Sequence, residues 1–378
     1  MPSIINTNLA SLNTQRNLGT SQASLATSLQ RLSSGLRVNS AKDDAAGLAI
    51  AERMSSQVRG LNVAARNAND GVSLAQTAEG ALGKIGEMVQ RVRELAVQSS
   101  NATNNATDRA ALQAEVAQLK EEIDRVAGSA SFNGTKLLDG SFTSARFQVG
   151  ADAGESITVS AITDARLAGM GSVNRASTQN STAITDLTAT SLADLTINGT
   201  DIGVLPAAGT TQERQAQVVD AINRISTTTG VGAFYDATNN RIVMTSSATI
   251  TITGAAGAKV GFVAADTATA AVSPNMASLD VSSYGGAQLA IQQADAALRQ
   301  INGTRANLGA VQSRFENAVA NIQIASENVT AARSRIMDTD FAAETASMTR
   351  SQILQQAGNA MLSQANQLPQ QVLNLLKG

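Results

Sequence analysis

The sequence predicts an α+β fold. Long α-helices from both ends of the chain form a coiled-coil bundle, and a small β-rich module of ββαβ type is inserted in the middle. Three observations predict this. One heptad register runs without a slip from Ala287 to Ile336. Apolar stripes at helical spacing recur near both ends of the chain. The stretch between them changes to Thr, Ala and Gly with strand-like alternation.

The heptad comes first because it is the longest signal. Its inward positions are Ala287, Ala290, Ala294, Ala297, Ile301, Thr304, Leu308, Val311, Phe315, Ala318, Ile322, Ala325, Val329, Ala332 and Ile336, and only Thr304 is polar. Spacing that alternates three and four is the period of helices winding on one another, so this seam requires partner helices. Leu18, Leu25, Leu29, Leu32 and Leu36 supply one stripe. Val58, Leu61, Ala65, Ala68, Val72, Ala75, Leu82, Val89 and Ala96 supply a second, weakened at Glu79, Gly86 and Arg93. Leu112, Val116, Leu119, Ile123 and Val126 form a third, and Leu354, Met361, Ala365, Leu368, Val372 and Leu375 a fourth.

The elements follow in order. Two helices are predicted up to about residue 100, interrupted at Gly35–Asn39, with Asn39 and Ser40 able to start the second. The segment SSNATNNATD ends it; Thr107 or Asp108 can cap a third helix that stops at Gly128. Phe132, Asn133 and Gly134 supply a turn, and Arg146–Val149 with Ser156–Val159 predict a β-hairpin. Leu195–Ile197 and Asp201–Val204 flank an Asn-Gly turn. A helix over 211–227 presents Val218, Ile222 and Ile225 on one face, and strands at Ala233–Tyr235 and Ile242–Thr245 flank a DATNN turn. ATITITG adds another strand. The predicted division is a terminal coiled coil of 1–44 plus 340–378, a helical part of 45–171 plus 279–339, and an outer module of 172–278.

Composition excludes several classes. Net charge is −2, so no basic nucleic-acid surface is implied. Cys and His are absent, which removes thiolate nucleophiles, imidazole bases and the commonest zinc ligands. Aromatic residues are 2% and Trp is absent, so the helix contacts bury little area each and depend on length and many neighbours. MPSIINTNLASL lacks the basic and apolar regions of a cleavable signal peptide, and no run of 18 apolar residues exists. The cluster Lys42, Asp43, Asp44 reads as helix-end electrostatics rather than catalysis. No cofactor is expected.

Several segments then resemble a known family. LNTQRNL (Leu12–Leu18), Leu29–Ile50, Asn62–Leu82 and QRVRELAVQS (Gln90–Ser99) are similar to the N-terminal region of bacterial flagellins. Ser334–Leu376 is similar to their C-terminal region, and Thr190–Val204 resembles a small β-rich module of their outer domains. The resemblance implies a non-enzymatic subunit that polymerises with itself into an extracellular flagellar filament for motility. It implies an inner tube built from the terminal segments, with Leu18, Leu25, Leu29, Leu32, Leu36, Leu354, Met361, Leu368, Val372 and Leu375 as the polymerisation seam. The partners implied are the flagellar export apparatus, a chaperone at the C-terminal segment, the filament cap and the hook–filament junction proteins. A junction protein, which shares end motifs, is the alternative reading. QRVRELAVQ and QAE further resemble the contact made by flagellins with Toll-like receptor 5. That implies receptor-binding candidates Gln90, Arg91, Leu95, Gln98 and Glu115, with Arg91 and Leu95 one turn apart on a shared face.

Overall fold

The computed structural model describes residues 8–191, 194–236, 239–254, 257–263, 267–272 and 275–377, with the backbone alone for 272 and 368–377. Four helices dominate: α1 (Leu9–Ser34), α2 (Ala45–Ser99), and, after the last strand, two more that are numbered below. α3 (Ala106–Ser129) precedes β1 (Ser131–Phe132), β2 (Thr135–Lys136), β3 (Ala145–Gln148) and β4 (Ser156–Val159). The insert holds β5 (Asn174–Gln179), β6 (Thr196–Ile197), β7 (Thr200–Asp201), α4 (Thr211–Arg224), α5 (Ser226–Thr229), β8 (Val231–Asp236), β9 (Arg241–Ser246), β10 (Ile252–Thr253), α6 (Gly257–Val260) and β11 (Ala271–Val272). α7 (Tyr284–Met337) and α8 (Phe341–Lys377) complete the chain, so the predicted α+β class holds. Two compact units divide it: a terminal unit of Met1–Ala68, Gln148–Ser156 and Asn317–Gly378, and a central unit of Asn69–Phe147 and Ile157–Glu316.

In the terminal unit α1 and α8 run antiparallel. Asn8 Nδ2 donates to the Ala365 carbonyl at 2.8 Å, and Arg31 meets Glu344 at 3.7 Å near the other end. Both helices that precede the unit's two breaks stop together. Gly35, at φ 70°, ends α1 in the left-handed conformation that glycine adopts without Cβ strain. The breaks are then stitched: Arg37 N donates to Met337 O (2.6 Å) and Thr339 N to Gly35 O (2.9 Å). The Arg37 guanidinium adds bonds to Ile336 O at 2.7 and 3.2 Å. α2 starts at Ala45, later than Asn39 or Ser40. The reason is local: Asp43 Oδ2 accepts the N–H groups of Asn39 and Ser40 and the Ser40 hydroxyl, which commits them to a turn. These bonds hold the Asp43 carboxyl below its usual range. Asp44 Oδ1 instead accepts Gly47 N at 2.8 Å at the helix start.

In the central unit the α7 seam is buried as its spacing requires, from Ala287 through Ala297, Ile301 and Leu308 to Phe315. It meets α2 along Leu74, Ala75, Ala78, Leu82, Ile85 and Val89. The two charged positions that weakened the α2 stripe are paired, and Gly86 faces Ile301. Arg93 Nε bonds Asp295 at 2.6 Å, and Glu79 accepts Gln312 Nε2 at 2.9 Å. Gly71 lies under Phe315, whose ring sits edge-on to Phe147 at 5.5 Å. The third helix starts two residues earlier than expected. Asn105 is the N-cap, and Asp108 completes a reciprocal capping box with it (2.9 and 3.0 Å). Gly128 remains helical.

The insert has its own core. Leu195, Ile197, Val218, Ile222, Ile242, Met244 and Phe262 are buried together. The predicted Asn198–Gly199 turn is present with φ 49° and 79°, joining β6 to β7. β8 and β9 pair from Val231↔Ser246 to Asp236↔Arg241; the tip of their turn, Ala237 and Thr238, lies outside the described residues. Two strands were not predicted. β5 (NRASTQ) is almost wholly polar and joins β9, and β11 joins β5, giving the order β11-β5-β9-β8 beside a second sheet β10-β6-β7. At the edge strand β8, Asn223 donates to Ala233 O (2.9 Å) and accepts from Ala233 N (2.8 Å), which spends backbone groups that would otherwise be open. Entry and exit of the insert adjoin. Met276 N donates to Met170 O (3.0 Å), and Lys120 Nζ donates to Ala277 O and Leu279 O (2.7 and 3.1 Å). Burial pushes the Lys120 pKa down.

Two glycines of α2 test this packing with opposite signs. A Cβ at Gly71 would meet Phe315 Cζ at 2.5 Å, whereas one at Gly80 would meet nothing within 4 Å. Gly71→Ala should destabilise by about 1–3 kcal/mol through overpacking. Gly80→Ala should stabilise by about 0.5–1 kcal/mol through helix propensity. Thermal unfolding of both variants measures the difference; equal shifts would contradict this packing.

Candidate interaction surfaces

The terminal pair is assembled from residues that are individually poor core formers. Positions of α8 covered or half-covered by their surroundings are Glu344, Met348, Ser351, Gln355, Gly358, Leu362 and Ala365. Their spacing alternates four and three, so this is a heptad stripe, but a small and polar one. On α1 the corresponding positions are Ser11, Thr14, Leu18, Ser21, Leu25, Ser28 and Leu32. Ser11 Oγ bonds Asn366 Oδ1 at 2.9 Å, and a Cβ at Gly358 would come 3.1 Å from Leu18 Cδ1. Sequence reading passed over the α8 stripe because it looked for apolar residues; its heptad spacing was the available signal.

The apolar residues singled out from the sequence are divided by this geometry. Leu18, Leu25, Leu32 and Leu36 are half-buried. Leu29, Leu354 and Met361 are outward, the last two 51% and 59% exposed. Phe341, Ile353 and Leu354 border an apolar groove on α8 together with Ala342, Ala346 and the Thr345 and Thr349 side chains. Leu9 and Leu12 are also exposed on α1. Leu368, Val372 and Leu375 belong to α8, but their side chains lie outside the described residues.

A second surface lies on α2 and α3. Arg91 is bound by two carboxylates, Glu94 at 3.0 Å and Glu115 at 2.9 Å, and these hydrogen bonds raise its pKa. Gln90 and Gln98 are exposed beside it. Leu95 is not part of this surface. It is 0% exposed and belongs to the α2 core, so the shared face expected for Arg91 and Leu95 is not presented to solvent. A helix step of four residues shifts azimuth by about 40°, enough to carry Leu95 from the polar face to the seam. Among the described residues no helix is long and apolar enough to cross a membrane.

Known proteins resemble this chain along nearly its whole length. Residues 5–143 match the bacterial flagellin N-terminal helical region, 291–376 the bacterial flagellin C-terminal helical region, and 194–248 the flagellin hook IN motif. The chain is 41% identical to B-type flagellin of Pseudomonas aeruginosa, covering 99% of both chains. It is 40% identical to flagellin B of Vibrio anguillarum, covering 98% of this chain and 99% of that one. Flagellin B of Vibrio cholerae gives 40% over the same shares. With matching helical regions at both ends and relatives aligned from end to end, the chain belongs to the bacterial flagellin family, whose members are structural filament subunits and not enzymes.

Proposed function

We propose that α1 and α8 are the polymerisation surface of this filament subunit, engaging further copies of the chain through the apolar residues that they turn outward. One observation carries this reading: the pair half-covers Leu18, Leu25, Leu32, Met348 and Leu362 among serines, a glutamine and a glycine, while Leu29, Ile353, Leu354 and Met361 face away. An α-helix that spends its polar stripe on its in-chain partner leaves its main hydrophobic free energy for another molecule. The terminal coiled coil of 1–44 plus 340–378, the helical part of 45–171 plus 279–339 and the outer module of 172–278 then take the inner, intermediate and surface layers of the filament. Leu368, Val372 and Leu375 belong to this proposal by their spacing of four and three in the sequence alone. Relatives that align over both full lengths are named flagellins, which favours a filament subunit over a hook–filament junction protein.

The same weak pairing suits export in an unfolded state through the flagellar secretion apparatus, with a chaperone covering the C-terminal segment until the subunit meets the filament cap outside the cell. Marginal helices order on assembly rather than before it. For the monomer, the exposed ion-paired cluster of Gln90, Arg91, Gln98 and Glu115 offers Toll-like receptor 5 a charged patch. Leu95 serves that patch from beneath, by holding α2 in place.

Leu354→Asp combined with Met361→Asp should abolish filament growth, measured by electron microscopy after salting-out. Monomer stability should change by less than about 0.5 kcal/mol, because the side chains are exposed in the monomer. Filaments of normal length from this variant would refute the assigned surface. Removal of 172–276, with Gly171 joined to Ala277 through a short linker, should preserve assembly, since entry and exit of the insert already adjoin. Loss of filaments from a folded deletion variant would give the insert an essential contact. Arg91→Glu should lower Toll-like receptor 5 signalling at least about tenfold, as expected when a charged anchor is reversed at an interface. Leu95→Ala should instead lower stability by about 2–5 kcal/mol. Undiminished signalling by folded Arg91→Glu would remove the patch from the receptor contact.

A further inference from the structure

We propose that a cavity of about 840 Å³ in the central unit, between the N-terminal end of α7 and the β8–β9 side of the insert, binds a short acidic saccharide. One wall is a single face of α7. Tyr284, Gln288, Gln292, Asp295 and Arg299 follow one another at steps of four, four, three and four, and all line the cavity. Four of these polar groups are uncommitted. Among the described residues the Tyr284 hydroxyl, Gln288, Gln292 and Arg299 have no hydrogen-bond partner, while Asp295 is neutralised by Arg93 at 2.6 Å.

The opposite wall is different. Three of its polar side chains are engaged: the Asn223 amide with the Ala233 backbone, the Ser226 hydroxyl on Asn223 O, and Ser246 Oγ accepting from Ala248 N, while Ser172, Asn174, Thr245 and Ser247 add further polar groups to it. Gly230 and Gly232 leave its surface open; a Cβ at Gly232 would meet nothing nearer than Asn223 Oδ1 at 3.9 Å. An aromatic corner closes one side, with Phe234 and Tyr284 centroids 5.7 Å apart and the rings tilted at 57°. The chain has nine Phe and Tyr residues in all, and two of them meet at this polar cavity, Phe234 also packing on Gly285 of α7.

This set selects the ligand class. Cavities of roughly 300–1,000 Å³ hold small ligands through a few convergent polar groups. The free primary amides of Gln288 and Gln292 on the α7 wall, each both donor and acceptor, match vicinal hydroxyls, and an aromatic face matches the C–H face of a sugar ring. An apolar ligand would strand the amides. Arg299 is the one cation of the wall without a carboxylate partner among the described residues, and its planar fork takes a carboxylate in bidentate fashion. A sugar carrying one carboxylate satisfies all of these groups together.

The test uses the full-length monomer. The chain has two Tyr and no Trp, so a Tyr235→Phe background leaves Tyr284 as the sole tyrosine reporter. Digalacturonate and 3′-sialyllactose are titrated against Tyr284 fluorescence and saturation-transfer NMR, with lactose as the neutral probe. Both acidic saccharides should bind saturably in the millimolar range or below, and lactose at least about tenfold more weakly, the worth of one charged hydrogen bond. Arg299→Ala should bring the acidic probes down to the level of lactose. Gly232→Val, which fills the cavity, and Gln292→Ala, on the exposed helix face, should each weaken all three probes. Circular dichroism and filament assembly of these variants should match the parent. No saturable response to either acidic saccharide overturns the proposal. So does equal binding of lactose, or undiminished binding by both Gly232→Val and Gln292→Ala.

Discussion

The contact between α1 and α8 is built the wrong way round for a self-sufficient domain, and much else follows from that. Its in-chain face mixes half-buried Leu18, Leu25, Leu32, Met348 and Leu362 with serines and a glutamine, and Leu29, Ile353, Leu354 and Met361 point outward. Burying serine and glutamine against a helix gains little from the hydrophobic effect. The α1–α8 contact therefore gains less from apolar burial than the seam of the central unit does. The central unit is different. There α2 and α7 share a continuous buried seam, and α3 is tied to α2 by Arg91–Glu115 and to the segment before α7 by Gln113 and Val281. One chain thus combines a part with a continuous apolar seam and a part whose helix contact is more polar, in a family of filament subunits.

Most of the helical architecture was legible because it is periodic. The α7 heptad was read at fifteen positions, and every one is buried or half-buried. Breaks at Gly35 and after Ser99 were visible as glycine and a run of Asn, Ser and Thr. What sequence reading missed has a common physical cause: choices between equivalent partners that only three-dimensional context settles. Asn39 and Ser40 are good caps, but Asp43 claims their N–H groups first. β5 carries no alternation because its pairing with β9 and β11 rests on backbone bonds. Leu95 stands in a receptor-like motif, yet the same residue completes the α2 seam, and burial wins. The α8 stripe kept its heptad spacing but lacked the apolar content that would have announced it.

The insert shows how little a variable module needs from its host. Its core is its own, and its two ends are fastened at one point by Met170, Met276 and Lys120. Asn223 closes the exposed edge of β8 without a further strand. Closing a long loop at a single point makes the host helices nearly indifferent to loop length, because loop-closure entropy grows only logarithmically.

The stitched breaks at Gly35–Arg37 and Ile336–Thr339 bear on mechanics. Along a continuous helix, twist passes through a ladder of parallel hydrogen bonds that yield together. At these breaks the covalent backbone is helped only by two backbone hydrogen bonds and the Arg37 fork, all running from one segment to the other. Torsion applied to α1 is thereby shared at once with the chain leading into α8. In a spinning filament this short crossed joint would act as the compliant coupling of each subunit, softer than the helices on either side and unable to bend in one strand alone.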